Sequence, residues 1–150
     1  MKWWKNSKVR EFSNIKRSDL EKEKKWFDNY SKNKSKIFFT IIFNKKPIGV
    51  VGLTNIDREN KHAEIFVAIG EDEFRNREIG REAVNFVADY GFKKLNLHKI
   101  KISANTKNIA AIKCYLAAGF KKEAVLKDEF LRRGKFENEV LMFKLKNNQK

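Results

Sequence analysis

Two stretches of this 150-residue chain combine residue types and spacings that could do chemistry. In the first, an apolar run ending at Ile69 is followed by a charged loop with Arg75, Asn76 and Arg77, after which Ile79-Gly80 opens a helix. That order sets free N–H groups and the positive end of a helix where a pyrophosphate can sit. Gly80 would let the backbone approach closely, and Arg75 and Arg77 would add charge-assisted contacts. Taken alone, the stretch reads equally as an ordinary helix start. In the second, Asn108, Ala111 and Tyr115 fall at i, i+3 and i+7 and so share one helix face. Beside them, Ile109, Ile112 and Leu116 form an apolar stripe that is expected to pack on a sheet.

The other reactive residue types stand alone. His62 and His98 are isolated, and both read as surface or strand-end residues. Cys114 adjoins Tyr115 without a histidine partner, which suits a core thiol better than a nucleophile. Asp57, Glu59, Glu71, Asp72 and Glu73 could form a cation-attracting rim or be solvated loop charges. No metal-ligand spacing is present, and no metal is expected.

The elements that must position these residues follow from periodicity. Residues 3–30 read as helical, with Trp4, Phe12, Leu20, Trp26, Phe27 and Tyr30 as apolar contacts and Ser18 with Glu21 as a capping box. Ile37 to Phe43 and Ile48 to Thr54 read as a hairpin around Asn44-Lys45-Lys46-Pro47. Ala63 to Ile69 alternates as a third strand. A helix from Gly80 to about Tyr90 should end at Gly91, and His98 to Ala104 should be a strand. Asn108 to Ala118 should be a helix stopped by Gly119. Val125 to Arg132 and Phe136 to Leu145 flank Arg133-Gly134-Lys135 as a second hairpin. Strands alternating with helices, with hairpins at both ends, predict a mixed α/β (α+β) sheet in one domain spanning residues 1–150.

Composition excludes some classes. Hydrophobic residues make up 41%, and thirteen Phe can fill a sizeable core. The longest apolar run, Ile37 to Phe43, is far short of the roughly 20 residues of a membrane span. A lone cysteine and the lack of a signal-like start point to the cytoplasm, with no membrane partner. The net charge of +15 is spread along the chain among 19 acids, without a nucleic-acid-binding pattern. It reads as a lysine-rich surface that favours an anionic ligand, and no nucleic-acid partner is expected beyond a ribosomal substrate.

On particular residues the chain resembles the GNAT superfamily, in its branch of ribosomal-protein alanine, spermidine and nucleotide-amino-sugar acetyltransferases. These are His62-Ala63-Glu64-Ile65, Arg75 through Ala83, Asn108 through Tyr115, Gly119-Phe120 and Arg133-Gly134-Lys135-Phe136. Tyr90-Gly91-Phe92 with Leu95-Asn96-Leu97 is similar to spermidine acetyltransferases, and Trp4, Asn6, Val9, Arg10, Trp26 and Phe27 resemble the branch's first helices. The chain departs from the pattern twice. Glu78 stands at the first glycine of the phosphate loop, where it could oppose pyrophosphate or point outward. The family's first strand is expected to be missing, or the true start to lie upstream.

The resemblance implies a mostly antiparallel central sheet with flanking helices and direct acetyl transfer from acetyl-CoA to an amine. Tyr115 matches the general acid, or else packs on the cofactor. Asn108 matches the residue that bonds the cofactor's amide arm, or else caps its helix, with Asn105 sharing that work. Phe66, Val67 and Ala68 would bind the acyl or pantetheine arm through their backbone, on a strand that splays from its neighbour. Arg75, Arg77, Ile79, Gly80 and Arg81 would hold the pyrophosphate, and Ala111 lines the same site. Glu64 is the expected base, or else half of a cross-strand salt bridge. The first expectation for the acceptor is a nucleotide-linked amino sugar. A ribosomal-protein N-terminus, a polyamine, and a catalytically degenerate acetyl-CoA- or RNA-binding module are the alternatives, and the chain is expected to be a monomer or homodimer.

Overall fold

Ile37–Phe43, rich in β-branched and aromatic residues, forms the first strand of the computed structural model, which describes residues 34–70, 72–75 and 78–147. The helical reading of residues 3–30, the Ser18–Glu21 cap, Glu71, Asn76 and Arg77 lie outside the described residues. The element order is β1 (Ile37–Phe43), β2 (Lys46–Asp57), β3 (His62–Ile69), a 3-10 turn (Asp72–Phe74), α1 (Glu78–Lys93), β4 (Lys99–Asn105), α2 (Ile109–Ala117), β5 (Lys121–Arg132) and β6 (Lys135–Leu145). The strands form one sheet in the order β1-β2-β3-β4-β6-β5. Every pairing is antiparallel except β3 with β4, which α1 connects. Among the described residues no helix is long and apolar enough to cross a membrane.

Both expected hairpins form, each with two left-handed residues at the turn. These are Asn44 and Lys45 in the first and Arg133 and Gly134 in the second, the backbone twist that two-residue hairpins favour. Pro47 pairs with Ile42 where the β1–β2 register shifts, so its missing N–H falls at an irregular rung. On the far edge, β5 shifts register against β6 at Lys122/Ala124 and Leu126/Phe130. Such bulges keep an exposed edge from templating further pairing.

The core lies between the sheet and the two helices. Alternation sends Ala63 and Ile65 of β3, Ile100, Ile102 and Ala104 of β4, and Val140 and Met142 of β6 into it. Helix α1 contributes Ala83, Val84, Val87, Ala88 and Phe92. Phe120 and Phe92 are buried, but most of the largest fully buried side chains are aliphatic rather than aromatic. Phe39 instead packs edge-on against Phe86 and Tyr90 of α1, with ring centroids 5.2 and 5.1 Å apart.

Two helix expectations need correction. Gly91 does not end α1, which runs on to Lys93. It is buried inside the helix because nothing larger fits: a Cβ there would lie 2.7 Å from Ile100 Cδ1 and 3.2 Å from Leu53 Cδ1. The stripe Ile109–Ile112–Leu116 does not pack on the sheet either, since Ile109 and Leu116 are 55% and 45% exposed. Helix α2 sits against both α1 and β4, so its contact face rotates onto Ile112 and Tyr115, flanked by Ala111 and Cys114.

Helix propensity would favour Gly91→Ala by about 1 kcal/mol. Overpacking a closed core costs about 1–3 kcal/mol, so the contacts with Ile100 and Leu53 should win. The variant is expected to unfold at lower urea than the parent with an unchanged slope; a higher midpoint would mean that α1 can lift from the sheet without cost.

Candidate active site

The site is built where the sheet stops being continuous. β3 and β4 pair only at His62↔Lys99, Ala63↔Ile100 and Glu64↔Lys101. Past that rung β3 stays with β2 as far as Ile69, and β4 stays with β6 as far as Asn105. The two strands therefore fork, and Phe66, Val67 and Ala68 lie on the β3 arm. Phe66 turns its ring to Phe38, edge to face at 5.7 Å, across Gly52, which pairs with both residues. That leaves its backbone rather than its ring to face the fork.

Helix α1 begins at the mouth of the fork. Arg75 is drawn back over the end of β3, its Nε donating to the Ile69 carbonyl at 3.1 Å. Glu78 opens the helix and pairs with Arg81 one turn on. Its side chain, at the position of the family's glycine, is exposed. Ile79, Gly80 and Arg81 are half-buried. A Cβ on Gly80 would point at Ile69 Cδ1 (3.6 Å) and Cys114 Sγ (3.7 Å), into the space between β3 and α2.

Helix α2 closes the other side. Asn108 is its N-cap, with Oδ1 accepting from Ala111 N at 3.2 Å. Asn105 orders the turn before it: buried, it accepts from Lys107 N at 2.9 Å and donates to Glu137 at 2.5 Å. Glu137 also meets Lys107 at 3.0 Å and Arg132 at 3.5 Å. Tyr115 is 7% exposed. Burial lifts its phenol well above the ordinary value, with Cys114 and Glu139 adding to the shift. Cys114 is likewise raised by burial, against the pull of Arg81, and behaves as a neutral packed thiol.

On the opposite face of the sheet, Glu64 sits at the last rung of the β3–β4 ladder. Its carboxylate accepts from Asn55 at 3.1 Å and pairs with Lys101 at 3.3 Å, so the cross-strand salt bridge is present. A second carboxylate on this face, Glu139, was not singled out from the sequence. It pairs with Asn105 across β4–β6 and accepts from Ser103 Oγ at 2.8 Å. Its sequence signal was the alternation of Glu137 and Glu139 with the buried Val140 and Met142, which reads as an ordinary solvated face.

The remaining residues stay outside the fork. Asp57 holds a turn through Asn60, whose N and Nδ2 donate at 2.8 and 2.9 Å, and Glu73 meets Lys46 at 3.7 Å; these charges serve local contacts rather than a shared rim. His62 lies 3.8 Å from Asp57, and His98 is exposed at the start of β4. Among the described residues no group of three His, Cys, Asp or Glu could hold a metal ion.

Comparison with known proteins bears on this geometry. The family model described as an acetyltransferase (GNAT) domain matches residues 1–121. An uncharacterized N-acetyltransferase, p20 of Bacillus licheniformis, is 35% identical over 109 residues, 71% of this chain and 60% of that protein. The spermidine N(1)-acetyltransferase of Escherichia coli K12 is 28% identical over 116 residues, 77% of this chain and 62% of that protein. The chain thus matches less than two thirds of the length of these curated relatives. In fold it resembles the crystal structure of spermidine N-acetyltransferase from Vibrio cholerae in complex with CoA and spermine. The TM-score is 0.89 at 24% identity, covering 96% of this chain and 86% of that one.

The contacts of Glu137 have a pH signature. Hydrogen bonding and charge from Lys107, with help from Asn105 and Arg132, hold its carboxyl below the ordinary range. A depressed carboxylate adds stability above its unfolded pKa and loses it as pH falls through the folded one. Glu137→Gln should therefore melt below the parent at neutral pH, with the two curves converging in acid. Parallel curves across that range would show that the contacts add nothing.

Proposed function

The chain belongs to the GNAT acetyltransferase family, and on that premise we propose that it moves the acetyl group of acetyl-CoA to a primary amine of a polyamine. One observation carries the reading: the β3–β4 ladder ends at Glu64–Lys101 beside a helix bearing a buried tyrosine. The spermidine acetyltransferases among its relatives support the polyamine over the other acceptors, and the nucleotide-linked amino sugar finds no support there. The charge of +15 weighs less than expected. Salt screens exposed charges beyond about 8–10 Å, and Glu64 and Glu129 each act electrostatically on the carboxylate of Glu139.

The residues fit acetyl-CoA. The first turn of α1 offers unpaired N–H groups and its positive dipole end to a pyrophosphate. Gly80 leaves open the space that a side chain would fill, and Arg75 adds positive charge, while Arg81 is paired with Glu78. The donor supplies a thioester, whose acyl group would meet the backbone of Phe66, Val67 and Ala68 on the β3 arm. Asn108 caps α2 and, with Ala111, sets the helix so that Tyr115 is held in the core. Tyr115 keeps its proton at any working pH and can give it to a departing thiolate. Burial weakens the phenol as an acid, yet it raises the neighbouring Cys114 thiol too. Desolvation makes a thiolate formed in that environment more basic as well, which favours its taking the phenol proton.

Acetyl-CoA should raise the melting temperature of the parent, as any ligand specific to the folded state must. Gly80→Ala should stay folded, because its Cβ meets only ordinary contacts, while Gly80→Asp should lose the shift. The binding reading fails if millimolar acetyl-CoA leaves the parent's melting point where it was.

Tyr115→Phe should lower kcat with spermidine by about 10²–10⁴-fold, the usual worth of general acid catalysis, and leave acetyl-CoA affinity almost unchanged. Single-turnover kinetics would decide it, since equal chemistry in both proteins would reduce Tyr115 to a packing role.

A further inference from the structure

The face of the sheet away from the helices holds two carboxylates near the fork, and their surroundings differ. Alternation along β4 buries Ile100, Ile102 and Ala104 under α1 and α2 and turns Lys101 and Ser103 to the other face. Glu64 is committed there. Lys101 and Asn55 take one oxygen each, at the rung where the β3–β4 ladder ends. Glu139 is held differently. Ser103 donates to its Oε1 at 2.8 Å, and among the described residues no cation lies within ion-pair distance of it. The residue is half-buried and pairs with Asn105, four rungs beyond Lys101 along β4, where β4 has parted from β3. It is one of the groups that act electrostatically on Tyr115.

We infer that Glu139, positioned by Ser103, is the carboxylate that receives the acceptor ammonium and takes its proton, while Glu64 with Lys101 holds the fork in register. This rests on the acetyltransferase reading and goes beyond it by separating the two carboxylates. Ser103 of β4 bonds Glu139, Glu64 of β3 and Glu129 and Arg132 of β5 act on it electrostatically, and it acts in turn on Tyr115 of α2. Desolvation raises its proton affinity above that of an ordinary carboxylate; the Ser103 bond opposes this, Glu129 and Glu64 add to it, and Arg132 lowers it again. Such a carboxylate suits a base that must take a proton from an ammonium. A hydrogen-bonded, half-buried position with no paired cation among the described residues also suits a polyamine nitrogen, which brings its own positive charge. In the step, an ammonium proton passes to Glu139, and the freed nitrogen lone pair forms a C–N bond to the acetyl carbon. The C–S bond breaks, the thiolate takes the proton of Tyr115, and the second proton of the attacking nitrogen is lost to solvent as the amide forms. The amide product, free CoA thiol, protonated Glu139 and ionised Tyr115 then restore themselves by exchange with solvent.

The test is a pH–rate profile for the full chain, with acetyl-CoA and a panel of spermidine, an amino sugar and an N-terminal peptide. For whichever amine the parent acetylates, Glu139→Gln should lower kcat/KM by about 10²-fold near neutral pH. The deficit should narrow as pH approaches the amine's own pKa, with acetyl-CoA affinity unchanged. Because ionised Glu139 is desolvated, the substitution should leave the melting temperature equal or higher, which loss of a structural contact would not. Ser103→Ala removes a bond that favours the ionised form, so the acid limb should move to higher pH. Glu64→Gln should instead lower the melting temperature and leave that limb in place. The assignment is overturned if Glu139→Gln stays within about twofold of the parent at every pH, or if Glu64→Gln and not Ser103→Ala moves the limb. A parent inert toward every amine would overturn the proposed function, and this assignment with it.

Discussion

The three-rung ladder between β3 and β4 is the constraint from which the rest of the site follows. Parallel strands normally pair along their length, because unmet backbone groups are costly away from water. Here pairing stops at Glu64–Lys101, and each strand keeps its outer partner. The sheet stays intact on both sides, and the gap opens only between its halves. The groups freed there are available to a ligand, and the gap joins the helix side of the sheet to the opposite face.

That opening reconciles two environments within one site. On the helix side, α1 and α2 exclude water, so Tyr115 stays neutral and Cys114 unreactive. On the other face the sheet carries Lys101, Ser103, Glu64 and Glu139, in reach of solvent and of charge. An acid must hold its proton until a thiolate appears, and a base must be ionised before an ammonium arrives. One low-dielectric pocket would serve the two poorly. Placed on opposite faces of the sheet, Tyr115 and Glu139 have different surroundings, though Glu139 still acts electrostatically on Tyr115.

Charge follows the same division between global and local. The surplus of lysine is spread along the chain, and several lysines are spent on single carboxylates: Lys99 on Glu123, Lys101 on Glu64 and Lys107 on Glu137. What an amine meets is decided by the few groups within a screening length. For that reason the net charge is by itself a poor guide to the acceptor: it favoured an anion, whereas relatives of this chain include spermidine acetyltransferases.

Periodicity, turn chemistry and short spacings determined a great deal. The hairpins around Asn44-Lys45 and Arg133-Gly134, the strands, the two helices and the segments bearing Gly80, Asn108 and Tyr115 were all legible, because each depends on neighbours within a few residues. Tertiary packing decided what those spacings could not. Gly91 looked like a helix end, yet it is a contact point, since Ile100 and Leu53 arrive from other strands. The face of α2 rotated onto Ile112 and Tyr115 because the helix lies against α1 and β4 together. Glu64 was legible as one side of a cross-strand pair but its partners, Lys101 and Asn55, were not, and Glu139 looked like any surface glutamate until Ser103 met it from 36 residues away. Local pattern determines which face of an element is apolar; it cannot determine which polar groups from distant strands share a desolvated space, and that sharing sets their proton affinities.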